Sequence, residues 1–198
     1  MRKGRILDVG CAFGLFLDVA RSRGWDVNGV EISEYAADYA RKELKIKVIT
    51  KPLEKAKFPE DYFDVIHMAE LIEHLPDPKK TLMECNRVLK RNGLIVIQTS
   101  DIDSLYARIM GKHWDWFLPG HLYYFSRKTL RGITKKTGFK IIKEFYGDEI
   151  GISLKAIAYW KDSHSVINFL KMLAIQLPRY IHFGNLAIGG VVMYAKKC

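Results

Sequence analysis

The run Asp8-Val-Gly10-Cys-Ala12-Phe-Gly14 leaves this chain few folds to choose from. The residues before it, Ile6 to Val9, are an apolar run ending in a carboxylate and a glycine, which reads as a buried strand. Leu15, Phe16, Val19 and Ala20 after it fall at helical spacing. A strand that turns through two glycines straight into a helix belongs to an α/β protein with a largely parallel sheet. Gly10 and Gly14 permit positive φ, and they remove Cβ atoms where a ligand lies against backbone. The helix start then offers N–H groups to that ligand. Gly14 is followed by Leu15, so the Lys-Ser/Thr of a phosphate loop is missing, and the spacing is not that of a dinucleotide G-x-G-x-x-G turn.

The rest of the chain repeats the strand and helix alternation. A second strand over 25–31 ends in Glu31, about twenty residues past the turn, where a carboxylate that binds ribose hydroxyls belongs. Ser33 caps a helix running to about Leu44. Further strands are expected at 47–50, 62–68, 94–99, 139–146 and 186–195. Further helices are expected at 78–91, stopped by Asn92-Gly93, and at 102–110, 126–137 and 165–177. Residues 113–126 are dense in aromatics, with Trp114, Trp116, Phe117 and Tyr123 suited to stacking on a ring.

Asp8-x-Gly10-x-Ala12-x-Gly14 resembles motif I of the class I S-adenosylmethionine (SAM) dependent methyltransferases, with Ala12 in place of the usual middle glycine. Glu31 falls where that family carries the acid closing its second strand. Glu70-Leu-Ile-Glu73-His74-Leu-Pro-Asp-Pro78 resembles the Glu-x-x-Glu-His-x-Pro-Asp-Pro segment of quinone-ring O-methyltransferases. Pro-Gly-His121-Leu-Tyr-Tyr-Phe-Ser126 resembles a segment of methyltransferases from sugar and cell-envelope pathways. The resemblance runs unbroken through roughly the first hundred residues, which carry several motifs in register.

That resemblance implies a Rossmann-like seven-stranded sheet, mostly parallel with the last strand antiparallel between the fifth and sixth, and helices on both faces. It implies one domain over 1–198, with a substrate-side insertion about 101–126 and a helical insertion about 160–180. The implied activity is an enzyme moving a methyl group from SAM to a small-molecule acceptor, most simply to oxygen, with S-adenosylhomocysteine as product. The cofactor would meet Asp8, Gly10, Cys11, Ala12 and Gly14 at the turn, Glu31 and Ile32 after strand 2, Leu53 in the adenine loop, and Met68 and Ala69 after strand 4. Pro52 stands where many relatives carry an adenine-reading aspartate, and Glu54 is its nearest substitute. His74 and His121 are the candidate bases for the acceptor's proton. In some relatives the two glutamates and the histidine are assigned to a divalent metal. The reading preferred here is a metal-free one, in which Glu73 and His74 order the loop and line the pocket. Relatives also tend to carry a helix or two before the first strand, so either this chain is truncated or its cofactor site is unusually open.

Composition narrows the partners. The net charge of +10 allows an RNA acceptor, but its lysines are scattered rather than clustered. The fourth strand also lacks the Asn/Asp-Pro-Pro-Tyr/Phe signature of amino-directed nucleic-acid enzymes. A SAM-binding protein without turnover is the other alternative. Three cysteines without paired or metal-like spacing suit a reducing, cytoplasmic compartment. No apolar stretch is long enough to cross a bilayer. The apolar helix at 165–177 reads first as packed core, and otherwise as a face for a membrane surface or a partner subunit, a homodimer among the options.

Overall fold

A computed structural model describes residues 4–146 and 190–198. The helix expected at 165–177 and the insertion about 160–180 lie outside the described residues. Within them the strands are β1 (Arg5–Val9), β2 (Asp26–Val30), β3 (Lys47–Ile49), β4 (Phe63–Ala69), β5 (Leu89–Ser100), β6 (Phe139–Tyr146) and β7 (Gly190–Lys197). The helices are α1 (Leu15–Ser22), α2 (Glu34–Lys42), α3 (Pro78–Val88), α4 (Leu105–Met110) and α5 (Arg127–Lys136). The strands form one sheet in the order β3-β2-β1-β4-β5-β7-β6. Pairing is parallel from β3 through β5, and β7 runs antiparallel to both β5 and β6. This is the expected seven-stranded α/β architecture.

Alternation along the strands divides the core between the two faces of the sheet. Ile6, Leu17, Ala20, Val27, Ala37, Ala40 and Val48 form one buried cluster, under α1 and α2. Leu7, Val9, Ile66, Met68, Leu82, Cys85, Val88, Ile95 and Leu130 form the other, under α3 and α5. Short polar side chains cap the helix starts. Ser33 accepts from the Ala36 amide, Asp77 from Lys80, and Ser104 from Ala107. Ser126 and Thr129 form a reciprocal capping box at α5.

One boundary departs from the sequence expectation. α3 ends at Val88 rather than Arg91, and the chain enters β5 at once, with Leu89 extended at φ −79° and ψ 136°. Leu89 is fully buried and pairs with Phe63 of β4, a contact that a longer helix would forfeit. Asn92 and Gly93 sit in an irregularity of β5, Asn92 at φ +61°. A Cβ on Gly93 would lie 2.7 Å from Leu89 Cγ, so the fold-back itself requires glycine there.

The order of strands places the crevice. Connections turn outward in opposite directions from β1 and β4, and open α/β sheets bind ligands at the carboxyl ends of strands beside such a switch. The Asp8–Gly14 turn, Glu31 and Ala69 all stand at that edge.

Candidate active site

The turn after β1 is held from below. Gly10 and Cys11 both donate their amides to the Val30 carbonyl at the end of β2, at 2.8 and 3.1 Å. Gly10, Ala12 and Gly14 all take positive φ, at 73°, 45° and 77°. A Cβ on Gly10 would lie 2.9 Å from Leu71 Cδ1, and one on Gly14 would lie 3.0 Å from Ala40 Cβ. Both glycines therefore serve close packing as well as conformation. Ala12 is exposed and adopts the left-handed conformation with a Cβ present, which costs about 1–2 kcal/mol in a non-glycine residue. Ala12→Gly should relieve most of this and, after the extra chain entropy of glycine, stabilise the protein by about 0.5–1 kcal/mol. Urea denaturation would show a higher midpoint at unchanged slope.

Cys11 enters the site through its backbone only. Its side chain is buried in the cluster under α1 and α2, and a Cβ on Gly29 would lie 2.6 Å from its sulfur. Burial, and then the Asp8 and Glu31 carboxylates, push the Cys11 thiol up to about 12. It is a neutral packing group.

Glu31 faces the turn. One carboxylate oxygen accepts from the Ala12 amide at 2.9 Å, and the other accepts from the Ser33 amide at 2.8 Å. Each oxygen has two acceptor sites, so both keep one for a ligand above the rim. Ile32 beside it is 74% exposed, an apolar surface without cover among the described residues. Phe13, Tyr35 and Tyr39 continue that exposed surface, with Phe13 edge-on to both tyrosines.

Beneath the turn lies a pair the sequence reading missed. Asp8 and His67 are cross-strand neighbours on β1 and β4, and Asp8 Oδ1 is 2.7 Å from His67 Nδ1. Both side chains are buried. Phe16 of α1 stacks on the imidazole, with ring centroids 3.9 Å apart and planes inclined by 16°. Asp8 thus forms the floor of the crevice rather than its surface. The available signal was a buried acid on β1 opposite a histidine at the matching depth of β4.

Met68 is wholly buried, and Ala69 reaches the edge. Leu53 corrects one expectation: its side chain is buried in the core, so only its backbone can border a ligand. Glu54 is likewise engaged, its carboxylate accepting from the Thr81 hydroxyl of α3. Glu70 takes φ +49° and accepts from Gln98 Nε2 at 3.2 Å.

The loop after β4 meets the aromatic segment through Glu73, whose carbonyl accepts from the Leu122 and Tyr123 amides. This contact brings the two candidate bases together. The His74 and His121 rings lie edge to face, with centroids 4.6 Å apart. His74 is exposed and gives its Nδ1–H to the Gly120 carbonyl at 2.8 Å. His121 is buried; burial, with the neighbouring His74, holds it below the ordinary imidazole range, against the pull of Glu73. Trp114 is 2% exposed and packs with Phe117 and Tyr124, so it anchors the segment rather than facing an acceptor. Phe117 and Tyr123 are exposed, and Trp116 lies over His121. These three form the available wall. Asp101, at the end of β5, is buried, and that burial raises its carboxyl. None of the described helices is long and apolar enough to cross a membrane.

Comparison with known proteins agrees with this geometry. A family model described as "Methyltransferase domain" matches residues 1–144. The ubiquinone biosynthesis O-methyltransferase of Alkalilimnicola ehrlichii is 35% identical over 101 residues, covering 48% of this chain and 41% of that protein. Its namesake from Nitrosomonas europaea is 30% identical over 135 residues, covering 62% and 56%. The chain thus matches about half the length of these curated relatives. Among solved structures, a SAM-dependent methyltransferase from Archaeoglobus fulgidus is 25% identical, with a TM-score of 0.67 over 98% of this chain and 86% of that one. One from Mesorhizobium loti is 19% identical with a TM-score of 0.69, covering 99% and 92%, a likeness of fold.

Proposed function

The chain belongs to the methyltransferase-domain family, and on that premise we propose that it methylates a small molecule at oxygen, with SAM as donor. The observation that carries this reading is the Glu31 carboxylate, fixed by two backbone amides at the rim of the glycine turn with an acceptor site open on each oxygen. A ribose presents two adjacent hydroxyl donors to such a carboxylate. The turn from Gly10 to Gly14, with Ala12 exposed on it, fits the amino-acid tail, and exposed Ile32 fits the adenine face. Bound SAM supplies an electrophilic methyl group on a sulfonium.

The chain's own residues do the rest. Gly10, Ala12 and Gly14 let the backbone approach the ligand, and Asp8 with His67 keeps that backbone in place. The Met68–Ala69 backbone borders the methyl-bearing end. Trp116, Phe117 and Tyr123 orient a ring-bearing acceptor and shield it from water. The acceptor hydroxyl gives up its proton beside His74 or His121 as its oxygen takes the methyl group, and S-adenosylhomocysteine is released. A single domain with 101–126 as its acceptor-side insertion is the organisation this reading requires. The three unpaired cysteines suit a cytoplasmic setting. A homodimer is the assembly we propose, to be read from the mass of the full chain in solution.

The test is turnover. The full chain would be incubated with SAM and a panel of phenols, catechols, hydroxybenzoates and sugar hydroxyls. Mass spectrometry should find S-adenosylhomocysteine and a product one methylene heavier, with at least one ring-bearing acceptor. Transfer to RNA alone, or SAM binding with no turnover on any acceptor, would overturn the small-molecule reading.

A further inference from the structure

Three side chains near the aromatic wall are poised for something the cofactor site does not supply. Glu73 is wholly buried, and among the described residues neither carboxylate oxygen has a hydrogen-bond partner. A bare carboxylate in such a place costs several kcal/mol unless a cation or donor meets it. Two imidazoles lie beside it. His74 Nδ1–H is tied to the Gly120 carbonyl, which leaves the lone pair on Nε2. His121 Nδ1 is buried without a partner among the described residues, and Trp116 stacks over the ring. His74 is thus held as metal-binding histidines are, the far N–H on a carbonyl and the near nitrogen bare. One ligand atom from each of Glu73, His74 and His121 lies within 4.8 Å of the others. Donors about 2.1 Å from a tetrahedral ion sit ~3.4 Å apart, so closure takes roughly an ångström of side-chain movement.

We propose that Glu73, His74 and His121 form a binding site for a divalent transition metal of the zinc, cobalt(II), manganese(II) or iron(II) class. Two imidazoles and one carboxylate favour such borderline ions over magnesium, which prefers oxygen donors and its own water. The set differs from the two glutamates and a histidine assigned in some relatives. Glu70 is turned to Gln98, and the third donor comes from the aromatic segment instead. Exposed His74 marks the side from which an ion enters. Its ligands would span the loop after β4 and the segment around His121, adding to the Glu73 carbonyl contacts that already join them. Binding of the ion does not depend on methyl transfer. Its role does rest on that reading: an ion here would polarise the acceptor's hydroxyl and lower its pKa so that the proton passes to water, and the two imidazoles serve as ligands rather than as bases.

The experiment uses the full, tag-free chain, stripped with chelator and titrated with cobalt(II) by visible absorption, then with zinc, manganese and magnesium by calorimetry. One-to-one binding with visible d–d bands is expected, with magnesium at least 100-fold weaker than zinc. H121A and H74A should each weaken zinc binding by 100-fold or more, while E70Q changes it by less than threefold. H121Q, which keeps the packing volume, replaces H121A if the latter melts at lower temperature. Absence of saturable cobalt binding overturns the proposal, as does loss of binding in E70Q with retention in both histidine variants. The same titrations separate this site from the cofactor site. E31A should keep cobalt and H121A should keep SAM. If the unmodified chain binds cobalt but no SAM, the metal site stands and the methyl-transfer reading falls.

Discussion

Replacing His67 with leucine should cost the fold about 3–5 kcal/mol, the penalty for removing one partner from a buried charged or hydrogen-bonded pair. Asp8 Oδ1 has its bond to His67 Nδ1 at 2.7 Å, inside a site with both side chains buried. Leucine still packs against Phe16, so the loss isolates the bond rather than the volume. For a chain of this size 1 kcal/mol moves the melting temperature by about 2–4 °C, so a fall of roughly 6–20 °C is expected. His67→Asn, whose amide can donate to Asp8, should recover much of it. The double replacement Asp8→Leu with His67→Leu should be milder than His67→Leu alone, because neither partner is then left bare. A loss below about 1 kcal/mol in His67→Leu by urea denaturation would show that Asp8 has another partner.

That pair also marks where reading along the chain runs out. Apolar runs and glycine stops located β1, β2, β4 and β6, because each is a local pattern of two to eight residues. The Asp8–Gly14 turn and Glu31 were legible for the same reason: their spacing is local, and their chemistry follows from residue type. The match of Asp8 to His67 depends on the register of two strands far apart in sequence, which periodicity does not encode. Trp114 and Leu53 show a related blindness. Both are apolar residues in functional-looking stretches, and only packing decided that they turn inward. The α3 boundary failed because Asn92-Gly93 is a strong helix stop that the fold uses inside a strand. The meeting of Glu73 with His121 is tertiary as well, made by backbone bonds between two loops.

The second large effect falls on the cofactor. Glu31→Ala should raise the dissociation constant for SAM by at least 100-fold. Two hydrogen bonds from ribose hydroxyls to a carboxylate contribute about 1.5–3 kcal/mol each, and every 1.4 kcal/mol is tenfold in affinity. The alanine variant also strips the acceptors from the Ala12 and Ser33 amides, so part of the loss comes from a looser turn. Glu31→Gln separates the two contributions. Its carbonyl oxygen can still serve one amide, but its NH2 opposes the other, so affinity should fall while the melting temperature changes little. Calorimetric titration with SAM and with S-adenosylhomocysteine reads both variants. Affinity unchanged in Glu31→Ala would remove the ribose from this rim and with it the cofactor assignment.

The position of β7 governs the order in which the sheet can assemble. Among the described residues β6 touches the sheet only through β7, yet β7 is made after it. During synthesis the strands from β1 to β5 can zip together while β6 waits, and β5 meanwhile shows an unprotected edge. Lys140 and Lys143 on β6 make it a poor guest for another chain's sheet during that wait. Pairing so distant in sequence is slow to nucleate, so the final stage of refolding should be the insertion of β7, followed at once by capture of β6.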